Sequence, residues 1–294
     1  MDTAKDTPAE QHRMEKEDIE DLGTVTLSRG GHVIHCLTVI GQIEGHTEAP
    51  QGQKTTKYEH VIPQLVAVQE DPRIEGLLVL LNTVGGDVET GLALAELIAS
   101  ISKPSATLVL GGGHSIGIPL AVSARHSFIV PTATMTVHPV RHSGLILGVP
   151  QTMHCFEQMQ QRITGFVAAH SGMPEKRYTQ LMLHTGELVM DMGTVLDGRR
   201  AVKEKLIDEL GGLQDALHKL YDLIDEEEKK TKPRREAAGF RGLSAEKSVL
   251  QNLGEELLGA FGVRRVEELL GGEVFNDFAC VHEDHAVGLS LIHI

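Results

Sequence analysis

The chain of 294 residues contains no Trp, three Cys and only 3% aromatic residues. Nucleic-acid grooves need cations for phosphates and rings for bases. An aromatic-poor chain of formal net charge −14 is therefore not built for that partner. Its sixteen His offset part of the charge only below neutral pH. Cys36, Cys155 and Cys280 are scattered with no CxxC pair. That spacing offers neither a thiolate metal site nor a disulfide framework, and it fits a reducing compartment. No stretch reaches the ~18 apolar residues of a membrane span. The opening MDTAKDTPAEQHRMEKEDIE lacks the apolar run of a signal peptide. The reading is a soluble, cytoplasmic protein with one domain of ~200–250 residues plus tails.

Residues 1–21 are charged and aperiodic, a disordered acidic arm. Residues 22–224 carry the patterns of one domain. Thr24–Leu27 and Val33–Ile40 are β-branched and apolar, as strands require. His46–Lys57 (HTEAPQGQKTTK) is polar and turn-rich, a mobile loop. Val61, Leu65, Val66 and Val68 give a helical face, and Ile74–Leu81 (IEGLLVLL) is a strand buried on both sides. A helix at Gly91–Ile101, a strand at Ala106–Leu110, a helix at Ser115–Ala124 and strands at Ser127–Val130 and Thr134–Val137 continue the rhythm. Such alternation implies an α/β fold with a mainly parallel sheet. Thr152–Ala169 places Met153, Phe156, Met159, Ile163, Phe166 and Val167 on one stripe, a core or subunit-packing helix. Shorter helices follow at Pro174–Leu183 and Ala201–Lys205, then the strand-like LIDEL. Residues 225–243 form a charged linker opening with DEEEKKTKPRRE. Residues 244–294 hold an amphipathic helix (Leu250, Leu253, Leu257, Phe261) and an irregular tail.

The chemistry concentrates at strand ends. Strand Ala106–Leu110 runs through three glycines into Gly113-His114-Ser115-Ile116-Gly117, a GxSxG pattern at a strand–turn–helix junction. A hydroxyl exposed there meets free N–H groups suited to a developing oxyanion. The alternative is that Ser115 merely caps the helix. A dinucleotide fingerprint fails, because the third glycine would fall at Ile116. Asn82-Thr83-Val84-Gly85-Gly86-Asp87 is a second Gly-rich turn at a parallel strand's C-terminal end. His138 ends the strand Met135-Thr136-Val137, where a base could reach Ser115. His114 adjoins the serine, so its side chain points elsewhere. Candidate acids that would orient His138 are Glu187, Asp191 and Asp197 in GELVMDMGTVLDG. His282 and His285 in VHEDH lie in a patternless segment, and no metal is assigned there.

Three segments together resemble the proteolytic subunit of the Clp protease, ClpP, of the serine peptidase family. NTVGGDVETGLALAELI is similar to the family's Gly-Gly turn and following helix, LVLGGGHSIGIPLAVSA to its nucleophile strand and helix, and ATMTVHPVR to the strand ending in its catalytic His. The wording around Ser115 and His138, with GTVLDGRRAV, is closer still to the translocation-enhancing branch of that family. The resemblance covers Leu22 to Leu213. It implies the ClpP/crotonase-like β-superhelix with a helical handle insertion at Thr152–Ala169, assembled as homo-oligomeric rings.

Position by position, the resemblance makes Ser115 the nucleophile, His138 the general base, and Gly86 and Ile116 the oxyanion-hole positions. Ungapped alignment on LIDEL puts Gly193 where the acid belongs. Asp191, two residues away, is taken as the third member ahead of Glu187 and Asp197. The implied function is a serine endopeptidase acting on peptides or unfolded protein, with no cofactor and a link to translocation. The alternative is a catalytically degenerate ClpP-like scaffold or binding subunit, motivated by the displaced acid. Crotonase-type acyl-CoA chemistry lacks an adenine-binding signature here. No ATPase-docking feature is recognisable, so no unfoldase partner is assumed.

Overall fold

The computed structural model describes residues 24–29, 31–141, 148–186 and 192–230. The expected N-terminal arm, the helix at 245–261 and the C-terminal tail lie outside the described residues. The chain divides into two compact units, Met1–Ile224 with Gly288–Ile294, and Asp225–Val287. Of the second unit only 225–230 is described, as helix rather than the expected linker.

Two strands open the sheet: β1 (Val25–Arg29) and the long β2 (His32–Glu44), paired antiparallel. A short β3 (Thr55–Lys57) pairs parallel with the end of β2 and leads into helix α1 (Tyr58–Glu70). Then come β4 (Gly76–Gly86), α2 (Val88–Ser100), β5 (Ser105–Gly113), the short α3 (Gly117–Val122), β6 (His126–Ile129) and β7 (Thr134–Val137). A helical insertion, α4 (Val149–His170) and α5 (Glu175–Met182), precedes β8 (Thr194–Asp197), which returns antiparallel onto β7. The chain continues through α6 (Gly198–Lys203), β9 (Glu209–Leu210) and a helix α7 over 213–230. The sheet order is β1-β2-β4-β5-β6-β9, with β7 pairing β5 and β8.

Strand alternation splits the apolar residues between two layers. Leu37, Val39, Leu77, Val79 and Leu81 face helices α1 to α4 in the main core, through residues such as Leu65, Leu92, Ile118 and Phe166. Ile34, Cys36, Leu78, Leu108 and Phe128 face the other way, where Ala216, Leu220 and Ile224 of α7 cover them. Burial pushes the Cys36 thiol up to about 11, so it behaves as a small core residue.

The expected mobile loop differs in two respects. Its last residues form β3, and the buried Glu44 anchors the rest. Its Oε1 accepts from the Ala49 N–H at 3.0 Å and lies 4.0 Å from Lys57 Nζ. The strand-like LIDEL reduces to two strand residues, because Leu206 and Ile207 are buried in a turn that precedes them.

Candidate active site

Irregularities in β4 and β5 bring the two glycine-rich turns together. Thr83 pairs with Gly41 and Gly85 with Gln42, so Val84 is squeezed out of register and stands 62% exposed. On the other side Leu81 pairs with Val109, but Thr83 pairs with Gly113, so β5 bulges over 110–112. Asn82 Oδ1 accepts from the Gly112 N–H at 2.9 Å and steadies that bulge. Bulges of this kind re-aim a chain near a site.

Thr83, almost fully buried, joins the parts. Its hydroxyl donates to Gly41 O at 2.7 Å and accepts from the Gly85 N–H at 3.1 Å. Its carbonyl accepts from the His114 N–H at 3.2 Å. Asp87 then caps α2, its Oδ1 accepting from the Thr90 N–H at 2.8 Å.

Ser115 sits between β5 and α3 with φ +60, a left-handed conformation rare for a residue with a Cβ. Such strain persists only where the surroundings over-determine it. Here the Ser115 N–H donates to Thr136 O at 2.9 Å, and Ser115 O accepts from the Ile118 N–H at 3.0 Å. The Gly85 backbone lies against its side chain. A Cβ added at Gly85 (φ +93) would stand 2.7 Å from Ser115 Cβ and 3.2 Å from its Oγ. Gly86 approaches β2 as closely, since its added Cβ would fall 2.1 Å from Ile43 O. Only glycine fits at either position. Ile116 starts α3 with its side chain fully buried against α2 at Gly91.

The Ser115–Thr136 bond ties the turn to β7, whose last residue, Val137, precedes His138. Gly112 pairs with Thr134 in the same junction. His138 Nδ1 lies 2.8 Å from Pro139 O. A carbonyl only accepts, so Nδ1 is the donor in this contact. In this structure Ser115 Oγ is buried and makes no hydrogen bond among the described residues, so it is not bonded to His138. His114 does not point away. Its Nδ1 meets Thr136 Oγ1 at 2.9 Å, and burial pushes its imidazole below the usual histidine range.

The register of β7 on β8 runs Thr134 with Asp197 through Val137 with Thr194. The ladder ends there, and Gly193, which precedes β8, donates its N–H to His184 O at 2.8 Å. Asp197 is four residues down the ladder, where its Oδ1 accepts from the Arg200 N–H at 2.8 Å and caps α6. Asp191 and Glu187 lie outside the described residues.

Sequence reasoning missed β8 and α7. The α7 signal was present, because Ala216, Leu220 and Ile224 repeat every four residues. No helix among the described residues is long and apolar enough to cross a membrane.

Known proteins are similar to this chain in sequence and in fold. Residues 29–213 match the Clp protease family. The translocation-enhancing protein TepA of Halalkalibacterium halodurans is 57% identical over 213 residues, covering 72% of this chain and 83% of that protein. An ATP-dependent Clp protease proteolytic subunit of Leuconostoc citreum is 28% identical over 94 residues, 31% of this chain and 46% of that one. The solved structure of a ClpP1 mutant from Listeria monocytogenes superposes with a TM-score of 0.50 at 18% identity, covering 62% of this chain and 94% of that chain. That likeness is one of fold, the ClpP-like α/β fold with its insertion between β7 and β8. With residues 29–213 matched and a 57% identical relative covering 72% of it, the chain belongs to the Clp protease family.

Proposed function

We propose that the protein is a serine endopeptidase of the ClpP kind. Ser115 Oγ attacks a peptide carbonyl, and His138 Nε2 takes its proton and returns it to the leaving amine. The N–H groups of Gly86 and Ile116 receive the tetrahedral oxyanion, and water then hydrolyses the acyl-enzyme. Asp191 supplies the orienting carboxylate, replacing Pro139 O as the acceptor of the Nδ1 proton.

One observation carries this reading. The Ser115 N–H bond to Thr136 O holds the nucleophile turn beside the strand that delivers His138. The substrate is a peptide or unfolded chain, the working form a homo-oligomeric ring in the cytoplasm, and the role a link to protein translocation. The similarity to TepA supports that last part.

A second reading, a scaffold without peptidase activity, draws on two observations. Ser115 Oγ is shut in beneath Gly85 without a partner, and Gly193 stands where the ungapped alignment places the acid. Fluorophosphonate labelling of the native assembly separates the two readings. The peptidase is labelled at Ser115 and Ser115→Ala is not, while Asp191→Asn labels and turns over peptide roughly 10²–10⁴-fold more slowly. An unlabelled wild-type assembly refutes peptidase chemistry.

A further inference from the structure

We propose that His114 and Thr136 form a brace that sets the nucleophile turn against the strand of the base, making both of them positioning residues for acylation of Ser115. The inference rests on the peptidase reading above and goes beyond the three residues that would do the chemistry.

The geometry converges on Thr136. Its carbonyl accepts from the Ser115 N–H at 2.9 Å, and its hydroxyl meets His114 Nδ1 at 2.9 Å. Two adjacent residues of the turn are therefore fastened to one residue of β7 by two different atoms. Thr136 lies in β7 two residues before His138, which follows the strand directly.

The His114 ring has been given room. A Cβ on Gly112 would meet His114 Cδ2 and Nε2 at 2.7 Å, so any larger residue there would evict the imidazole. The regular ladder between β5 and β7 is slight, a pairing at Gly112 and Thr134. With so little backbone pairing, the placement of the turn on β7 depends on the Thr136 contacts. Ser115 in turn holds a left-handed conformation that needs such contacts to persist. Sub-ångström placement of a nucleophile against its base is worth far more in rate than in stability.

The experiment measures the rate of fluorophosphonate inactivation at saturating probe for the native assembly, in wild type, Thr136→Val, Thr136→Ser, His114→Ala and the Thr136→Val/His114→Ala double variant. Valine keeps the shape and the carbonyl of Thr136 and removes only the hydroxyl. The brace predicts that Thr136→Val and His114→Ala are each about tenfold slower with probe affinity unchanged. Thr136→Ser returns to within about twofold of wild type, and the double variant is no slower than the slower single one. Thr136→Val reacting at the wild-type rate, Thr136→Ser as slow as the valine, or additive losses would each overturn it.

A second measurement does not need activity. NMR titration of the His138 ring in ¹³C-histidine-labelled protein shows its midpoint moving in Thr136→Val and restored in Thr136→Ser. An unmoved midpoint overturns the brace. If the wild type is not labelled, the peptidase reading fails on its own, and the titration still decides whether the brace exists.

Discussion

Gly85→Ala isolates the contact between the glycine turn and the nucleophile. Three glycines share nearly the same backbone angle: Gly31 at φ +94, Gly52 at φ +90 and Gly85 at φ +93. An alanine at any of them carries a left-handed strain of about 1–2 kcal/mol. At Gly52 that is the whole cost, since an added Cβ meets nothing within 4 Å. At Gly85 the Cβ would lie 2.7 Å from Ser115 Cβ and 3.1 Å from His114 O. Relieving such a contact in a packed site costs a further ~1–3 kcal/mol. The sum is ~2–5 kcal/mol. At ~2–4 °C per kcal/mol for a domain of this size, the melting temperature falls by ~4–20 °C, against ~2–8 °C for Gly52→Ala.

Thermal denaturation of the two variants, with fluorophosphonate labelling alongside, tests the difference. Gly85→Ala should lose labelling as well as stability, and Gly52→Ala should keep it. Repeating Gly85→Ala in a Ser115→Gly background removes the opposing Cβ and should recover the steric part of the loss. If Gly85→Ala melts with Gly52→Ala and labels like wild type, the turn does not press on the serine, and the account of an occluded nucleophile is wrong.

Other outcomes follow from the same contacts. Ser115 Oγ is buried without a partner, so urea unfolding of Ser115→Ala should show stability unchanged or raised by up to ~1 kcal/mol. Thr83→Val removes the hydroxyl that donates to Gly41 O and accepts from the Gly85 N–H, at a cost of ~2–4 kcal/mol by the same assay. The Thr55 hydroxyl first, then the Ala49 N–H and the Lys57 charge, hold the Glu44 carboxyl below its usual range. Its stabilising share is present above the unfolded value of about 4.5 and is lost as pH falls below it, so Glu44→Gln should flatten the acid limb of a melting-temperature–pH curve. The half-buried His114 resists protonation, so the unfolded chain binds that proton first and stability drops as pH falls through about 6.5. His114→Gln should remove that part of the slope when melts at pH 5.5 and 7.5 are compared.

Local pattern carried some elements to the residue. Thr134–Val137 is a strand in sequence and in structure, because its apolar residues alternate between a breaker (Pro131) and a His-Pro end. The stripe of α4 was legible for the same reason, with Met159, Ile163, Phe166 and Val167 buried as their spacing requires. The helix α7 was not read, although Ala216, Leu220 and Ile224 repeat correctly. The charges among them, Asp215, Lys219 and Asp222, blurred into the acidic run beyond. The polar segment after Glu44 looked wholly irregular, since nothing in HTEAPQGQKTTK announces that Thr55–Lys57 will pair with β2.

Ser115, His138 and the Gly85-Gly86 turn were each visible in the sequence. Short-range chemistry marks them: glycines where a backbone must bend, a hydroxyl at a helix start, an imidazole at a strand end. Their mutual placement was not visible, because it depends on register between strands far apart in the chain. Only the fold lays Gly85 on the serine, fastens the Ser115 N–H to Thr136 and turns His114 onto the same threonine. Residue order determines which groups a chain can offer. Hydrogen-bond register and packing, which are long-range and cooperative, determine which of those groups meet.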